Sequence, residues 1–241
     1  MQVMVQASVI AASLFLAACG GAAAPGRDQA PASVPEMPVA ATPVSERGDE
    51  ITSGLRIVML GDSLTAGYGL APQDALPEQI ATRLEAAGLA LRMVNAGVSG
   101  DTSANGLARY DWSVASAQPD VIIIALGAND YLLGLSADTT RANLAAIIER
   151  AQADGAAVIL LGLEPRSNAP AGSRDAAYAA IYPELAATYS VPLYPAMLAG
   201  VRDNSALLQA DGLHPTAEGI GYIADQLLNF LRPHLQVLDG Q

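Results

Sequence analysis

Cysteine, histidine and basic residues are all scarce in this chain. Among its 241 residues there is one cysteine, Cys19, so no intrachain disulfide can form and stability must come from the core. The two histidines, His214 and His234, are too few to build a zinc site of the His/Cys kind, and no metal or other cofactor is expected. Any mechanism that needs an imidazole has only those two candidates. Lys and Arg together number 12 against 24 acidic residues, a formal charge of −12. That balance argues against a nucleic-acid partner and against a surface that grips anionic headgroups. Hydrophobic residues make up 51% of the chain, yet beyond the N-terminus no run reaches the ~18 apolar residues that a membrane span requires.

What is present is organised in three parts. Residues 1–18 carry no charge, and the apolar stretch from Val9 to Ala18 ends in small residues, as a secretory signal core does. Leu16-Ala17-Ala18-Cys19 resembles the lipobox of bacterial lipoproteins, in which the cysteine becomes the lipidated first residue. A basic residue near the start, usual in such leaders, is missing. Residues 19–52 are rich in Ala, Pro and Gly and lack aromatics, so they bury too little surface to offset their ordering entropy. A flexible linker of this length spans roughly 30 Å. The folded domain is expected over 53–241. The chain is thus expected to be exported, periplasmic or held at the outer membrane, and to touch membrane only through an N-terminal lipid anchor.

In the remaining sequence, short apolar runs alternate with helical stretches. "LRIVMLG", "LRMVNAG", "DVIIIALG" and "AAVILLGL" are continuously apolar and stop at glycine, the character of parallel strands buried on both faces. "VPLYP" is shorter and flanked by proline, which fits an edge strand. "PEQIATRLEAAG" places Ile80, Leu84 and Ala87 on one helical face, and three later stretches repeat the helical pattern. Strand–helix alternation implies right-handed crossovers and a three-layer α/β/α domain, whose sites lie at the carboxyl ends of the strands.

Those strand ends carry four polar clusters: Gly61-Asp62-Ser63-Leu64, Ser99-Gly100-Asp101-Thr102, Gly127-Ala128-Asn129-Asp130 and Asp211-Gly212-Leu213-His214-Pro215. Serine acyl chemistry needs a hydroxyl, an imidazole to take its proton, and a carboxylate to hold the imidazole in one tautomer. Ser63, His214 and Asp211 supply these types, with Asp and His close enough in sequence to meet on one turn. The oxyanion needs donors fixed in advance, and the Ser63 N–H, the Gly100 N–H and the Asn129 amide are the candidates. Glycine at 100 is expected to allow close backbone approach. Competing motifs fail: Thr65 stands where a nucleophile elbow needs its second Gly, no lysine follows Gly67, and "GYGLAP" ends in proline rather than glycine.

"GDSL", "SGDTS", "GAND" and "DGLHP" match in order the four blocks of the SGNH (GDSL) hydrolases, the family letters falling on Ser63, Gly100, Asn129 and His214. Longer stretches, among them "VNAGVSGDTSANGLAR" and "YPELAATYSVPLYP", resemble its secreted thioesterase, lysophospholipase and arylesterase branch. The resemblance covers roughly Leu55 to Leu235. It implies a flavodoxin-like α/β fold with a five-stranded parallel sheet of order 2-1-3-4-5, and metal-independent hydrolysis of esters or thioesters through an acyl-serine. It also implies that Asp62 supports the nucleophile turn. Ala128 replaces a glycine usual in that branch.

The expected partner is a small acyl ester, bound by a monomer. Carbohydrate O-acetyl esterase activity and a non-catalytic envelope-binding lipoprotein are the other functional classes open. Residue by residue, the plainer readings are that Ser63 is a helix N-cap, that Asn129 bridges strand and loop, and that Asp211 caps the last helix. Asp101 and Asp130 read as loop-ordering carboxylates, His234 as solvent-exposed, and Trp112 and Tyr131 as either pocket or core. Activity is expected to fall as pH drops through the imidazole range. The loop from Glu164 to Arg174 is a candidate determinant of selectivity.

Overall fold

The structure, a computed structural model, describes residues 54–163 and 170–240. The leader, Cys19 and the linker therefore lie outside the described residues, as do 164–169 of the candidate selectivity loop. The chain runs β1 (Leu55–Gly61), α1 (Ser63–Ala66), α2 (Leu76–Ala86), β2 (Leu91–Gly97), α3 (Ser103–Ala108), α4 (Tyr110–Ser113), β3 (Val121–Ala125), α5 (Ala128–Leu132), α6 (Ala137–Ala153), β4 (Ala157–Leu161), α7 (Arg174–Tyr189), β5 (Leu193–Tyr194) and α8 (Ala217–Asp239). All strand pairs are parallel and the order is β2-β1-β3-β4-β5.

The two-residue period of a strand explains the layers. In β1, Ile57 and Met59 face one core while Val58 and Leu60 face the other, and all four are fully buried. The first core is closed by α2 and α8 through Leu76, Ile80, Leu84, Ala224, Leu227 and Leu231. The second is closed by α6 and α7 through Leu144, Ile147, Ile148, Ile181 and Leu185. Each such leucine or isoleucine contributes about 1.5–3 kcal/mol by leaving water.

One strand departs from the sequence reading. "LRMVNAG" looks buried on both faces, but β2 is an edge strand and most of its residues keep some exposure. From the rim of the sheet Leu91 and Met93 pack on the first core and Val94 and Ala96 on the second, so a continuous apolar run does not by itself mean full burial.

The order reverses beside β1, whose neighbours are β2 on one side and β3 on the other. At such a switch point the connections leave in opposite directions and open a crevice above the carboxyl ends. Gly61 pairs there with Gly97 and with Ala125, so the segments after β1, β2 and β3 all emerge around one spot. Helix α1 crosses directly over β2: a Cβ on Gly97 would lie 2.2 Å from the Ala66 nitrogen, which is why glycine is required.

Candidate active site

The nucleophile turn is built from its buried neighbour. Asp62 is the N-cap of α1, its side chain accepting the Leu64 N–H at 3.0 Å. Ser63 is the first helical residue rather than the cap, and the turn ends at once on Gly67, in the left-handed conformation. A helix of four residues at the end of a central strand thus holds the Ser63 hydroxyl at the crevice.

The opposite wall comes from the turn before α8. One oxygen of Asp211 accepts the N–H groups of Leu213 at 2.9 Å and His214 at 3.0 Å, which closes the turn. The other oxygen lies 2.7 Å from His214 Nδ1, and His214 Nε2 lies 2.9 Å from Ser63 Oγ. The carboxylate can only accept, so Nδ1 carries the proton and Nε2 presents its lone pair to the serine hydroxyl. These contacts hold the Asp211 carboxyl down at about 2, the imidazole hydrogen bond contributing most. Thr216, not Asp211, caps α8. The sequence suggested three residues for this chain, and the structure brings all three into one hydrogen-bonded line.

Tyr68 and Gln209 fix the imidazole from outside that line. The Tyr68 ring lies 4.5 Å from the His214 ring. Gln209 donates from its amide to the carbonyls of Tyr68 at 2.8 Å and Pro215 at 2.9 Å, and its own N–H donates to His214 O at 2.7 Å. None of these links was visible in the sequence, because each joins groups brought near only by folding.

The segments after β2 and β3 complete the rim. Gly100 has φ +87°, and a Cβ there would meet nothing within 4 Å. Glycine at this position serves the left-handed backbone, not the close approach expected of it. Asn129, in the first turn of α5, donates its amide to the Asp101 carbonyl at 2.9 Å and lies 3.5 Å from the Asp62 carboxylate. That bond places the amide beside both the Gly100–Asp101 segment and the nucleophile turn.

Two carboxylates brace this rim. Asp101 pairs with Arg109 at 2.6 Å, and the same buried guanidinium donates to Gly61 O at 3.0 Å and Ala96 O at 2.7 Å. Arg109 therefore ties the ends of β1 and β2 to the Gly100 segment. Its signal was an isolated charge closing the otherwise uncharged stretch "SANGLAR". Asp130 is fully buried and accepts from the Ser103 N–H at 2.7 Å and the Thr140 hydroxyl at 3.0 Å, so both acids order loops. Arg174 stacks on Tyr131 at 4.4 Å and Tyr178 at 5.0 Å, while the Tyr131 hydroxyl donates to Asp175 at 2.7 Å, holding α7 against α5.

Asp62 differs electrostatically from Asp211. Burial pushes its carboxyl up to about 6, against the Leu64 N–H and the nearby His214, which both favour the charged form. A cavity of about 730 Å³ opens beside the site, lined by Ala128, Tyr131, Leu132, Leu163, Leu198 and Leu213 among others. Ala128 and Leu213 are the chain neighbours of Asn129 and His214, so the cavity adjoins the reactive groups. Two expectations fail. Trp112 is 68% exposed, neither in this cavity nor in the core, and His234 is half-buried against Phe230 rather than free in solvent.

The sequence pattern of the GDSL-like Lipase/Acylhydrolase family matches residues 59–220, two-thirds of the chain. The chain belongs to this family. Esterase TesA of Pseudomonas aeruginosa is 35% identical over 180 residues, 74% of this chain and 89% of the relative. Thioesterase 1/protease 1/lysophospholipase L1 of Escherichia coli K12 is 35% identical over 178 residues, 73% and 83% of the two chains. Among solved structures, AlinE4, an SGNH-hydrolase family esterase, superposes with a TM-score of 0.62 at 38% identity, covering 76% of this chain and 97% of its own.

Proposed function

We infer that this GDSL-family chain is a serine esterase that hydrolyses carboxylic esters or thioesters through an acyl-serine. The single observation that carries the reading is the Ser63–His214–Asp211 line, with contacts of 2.9 and 2.7 Å. In the first half-reaction the Ser63 proton passes to His214 Nε2 as Oγ attacks the acyl carbon. The resulting oxyanion takes hydrogen bonds from the Ser63 N–H, the Gly100 N–H and the Asn129 amide. The imidazolium then protonates the leaving alcohol or thiol. Water repeats the sequence on the acyl-serine, releasing the acid and restoring the hydroxyl.

The cavity supports the choice of substrate. A space of about 730 Å³ whose walls carry four leucines and two tyrosines beside Asp175, Arg202 and Asp203 suits a fatty acyl chain with a polar head, as in a lysophospholipid, better than a bare acetyl group. The chain's formal charge of −12 disfavours polyanionic acyl-CoA. We further propose that the enzyme is exported and tethered by an acylated Cys19, on the strength of the uncharged apolar leader and Leu16-Ala17-Ala18-Cys19.

The test is labelling and turnover together. A fluorophosphonate should modify Ser63, and p-nitrophenyl esters of short acids should be hydrolysed. Ser63→Ala should lower kcat by roughly 10³-fold or more without unfolding the chain. Full activity in that variant would discard the nucleophile. A panel setting acetylated sugars against lysophospholipids separates the two ester classes, and mass spectrometry of the N-terminus reads the acylation.

A further inference from the structure

Nine large hydrophobic side chains are conspicuously exposed among the described residues, and six of them, Tyr68, Val98, Leu132, Leu133, Leu135 and Leu213, follow the carboxyl ends of strands or flank His214. Scattered apolar residues on a surface need no explanation, but a concentration around one opening does. Tyr68 stacks on His214, and Leu213 precedes it in the chain. Leu132 and Leu213 share the wall of the cavity. The Val98 N–H donates to Gly61 O at 3.1 Å, one turn from Ser63. Leu133 and Leu135 continue from α5, their N–H groups bonded to the carbonyls of Asn129 and Asp130 at 2.9 Å each. Leu133 is 67% exposed, the next residue after Leu132 of the cavity wall and not itself part of that wall.

We propose that this rim is a docking surface for a lipid surface of low net charge, from which the enzyme draws single-chain esters into the cavity. The inference rests on the serine esterase reading and adds where the substrate is presented. These residues sit beside His214, on the cavity wall and after the strand ends around Ser63, so a protein seated on them, a second copy included, would block turnover. A lipid surface delivers substrate as it docks. The formal charge of −12 disfavours anionic headgroups and leaves a zwitterionic or uncharged surface as the match. Leucine and tyrosine with one half in water are the side chains that such an interface accepts.

The experiment uses the full chain carrying Cys19→Ser, which removes the chain's one cysteine and any acyl group on it. A cysteine is then introduced by Leu133→Cys or, as control, by Val237→Cys and labelled with a polarity-sensitive dye. Val237 is 63% exposed near the far end of α8, a 23-residue helix that starts beside the site and runs roughly 35 Å away from it. Phosphatidylcholine vesicles should shift the dye at 133 and not at 237, and phosphatidylglycerol vesicles should do so less. Equal response at both positions, or none at 133, overturns the proposal.

The kinetic arm pairs Leu133→Asp with Leu135→Asp. Hydrolysis of lysophosphatidylcholine carried in phosphatidylcholine vesicles should fall at least tenfold, while that of dissolved p-nitrophenyl acetate stays within twofold. A parallel loss of both, no loss of either, or a rim variant that turns a dimer into a monomer by sedimentation overturns the proposal. Absence of p-nitrophenyl acetate turnover in the parent would strike the esterase reading instead, and the dye shift would still report docking.

Discussion

Asp62→Asn should stabilise this protein at neutral pH and leave it nearly unchanged in mild acid. The Asp62 carboxyl is pushed by burial from 3.8 up to about 6, so the folded chain binds that proton more tightly than the unfolded chain does. A group shifted in this direction contributes stability below its unfolded value of 3.8 and loses it as pH rises through about 6. A shift of about two units corresponds to about 3 kcal/mol, at 1.36 kcal/mol per unit. The favourable contacts of the ionised form, the Leu64 N–H and the His214 side chain, are already inside that net shift. Asparagine keeps an oxygen for the Leu64 N–H and is as good an N-cap as aspartate. Urea unfolding of both proteins from pH 4 to pH 8 is the assay. The difference should be near zero at pH 4 and grow to about 3 kcal/mol above pH 7, or roughly 6–12 °C in Tm for a domain of this size. A difference that does not change with pH, or a variant that is less stable at pH 7.5, would show that Asp62 is not a charge held against the cost of burial.

Three other perturbations follow from the same contacts. Arg109→Met leaves Asp101 buried without its cation and frees the carbonyls of Gly61 and Ala96, so urea titration should show a loss of about 3–5 kcal/mol; a loss below about 1 kcal/mol would deny the brace. Asn129→Ala should lower kcat about 10²- to 10³-fold with KM little changed, and an effect confined to KM would remove Asn129 from the oxyanion site. Asp211 is held down at about 2, so its contribution to stability is present above the unfolded value of 3.8 and is lost only as pH falls through about 2. It stays ionised wherever the enzyme works, so an acid limb of kcat/KM between pH 5 and 8 that persists in Asp62→Asn, where the carboxyl held at about 6 is gone, reports the imidazole. A flat profile there would count against His214 as base.

What could be read from the sequence is what chemistry or periodicity demands locally. Parallel strands that stop at glycine, and polar clusters placed just beyond them, gave the sheet order through family resemblance and the hydroxyl–imidazole–carboxylate set through residue type. The errors have a common origin. β2 reads as buried on both faces because its apolar residues do touch both cores, Leu91 and Met93 the first and Val94 and Ala96 the second, and no feature of the run says that one flank of the strand has no neighbour. Gly100 reads as a close-approach glycine, yet its role is the sign of φ, a backbone property that composition does not encode. Trp112 reads as pocket or core because large aromatics usually are, whereas the short α4 leaves it in solvent. The braces at Arg109, Gln209 and Tyr68 were missed because their partners are backbone carbonyls or a ring made adjacent by the fold.

The division of labour between the two carboxylates near His214 follows from their surroundings. Asp211 meets three hydrogen-bond donors on an open turn, and all three favour its charge, which leaves it a permanent acceptor for the Nδ1 proton. Asp62 is enclosed beneath the nucleophile, where burial outweighs its one short hydrogen bond, so its charge is conditional near neutrality. Environments that drive neighbouring acids apart mark separate roles. A conditional charge 3.5 Å from the Asn129 amide would oppose an oxyanion gathered by that amide, which fits a residue retained for the N-cap it makes rather than for its charge. If so, Asp62→Asn keeps most of kcat while Asp211→Asn does not, since only the second exchange permits the wrong imidazole tautomer; for the triad of the serine proteases that exchange costs about 10⁴-fold. Equal losses in the two variants would mean that the buried charge is itself part of the catalytic field.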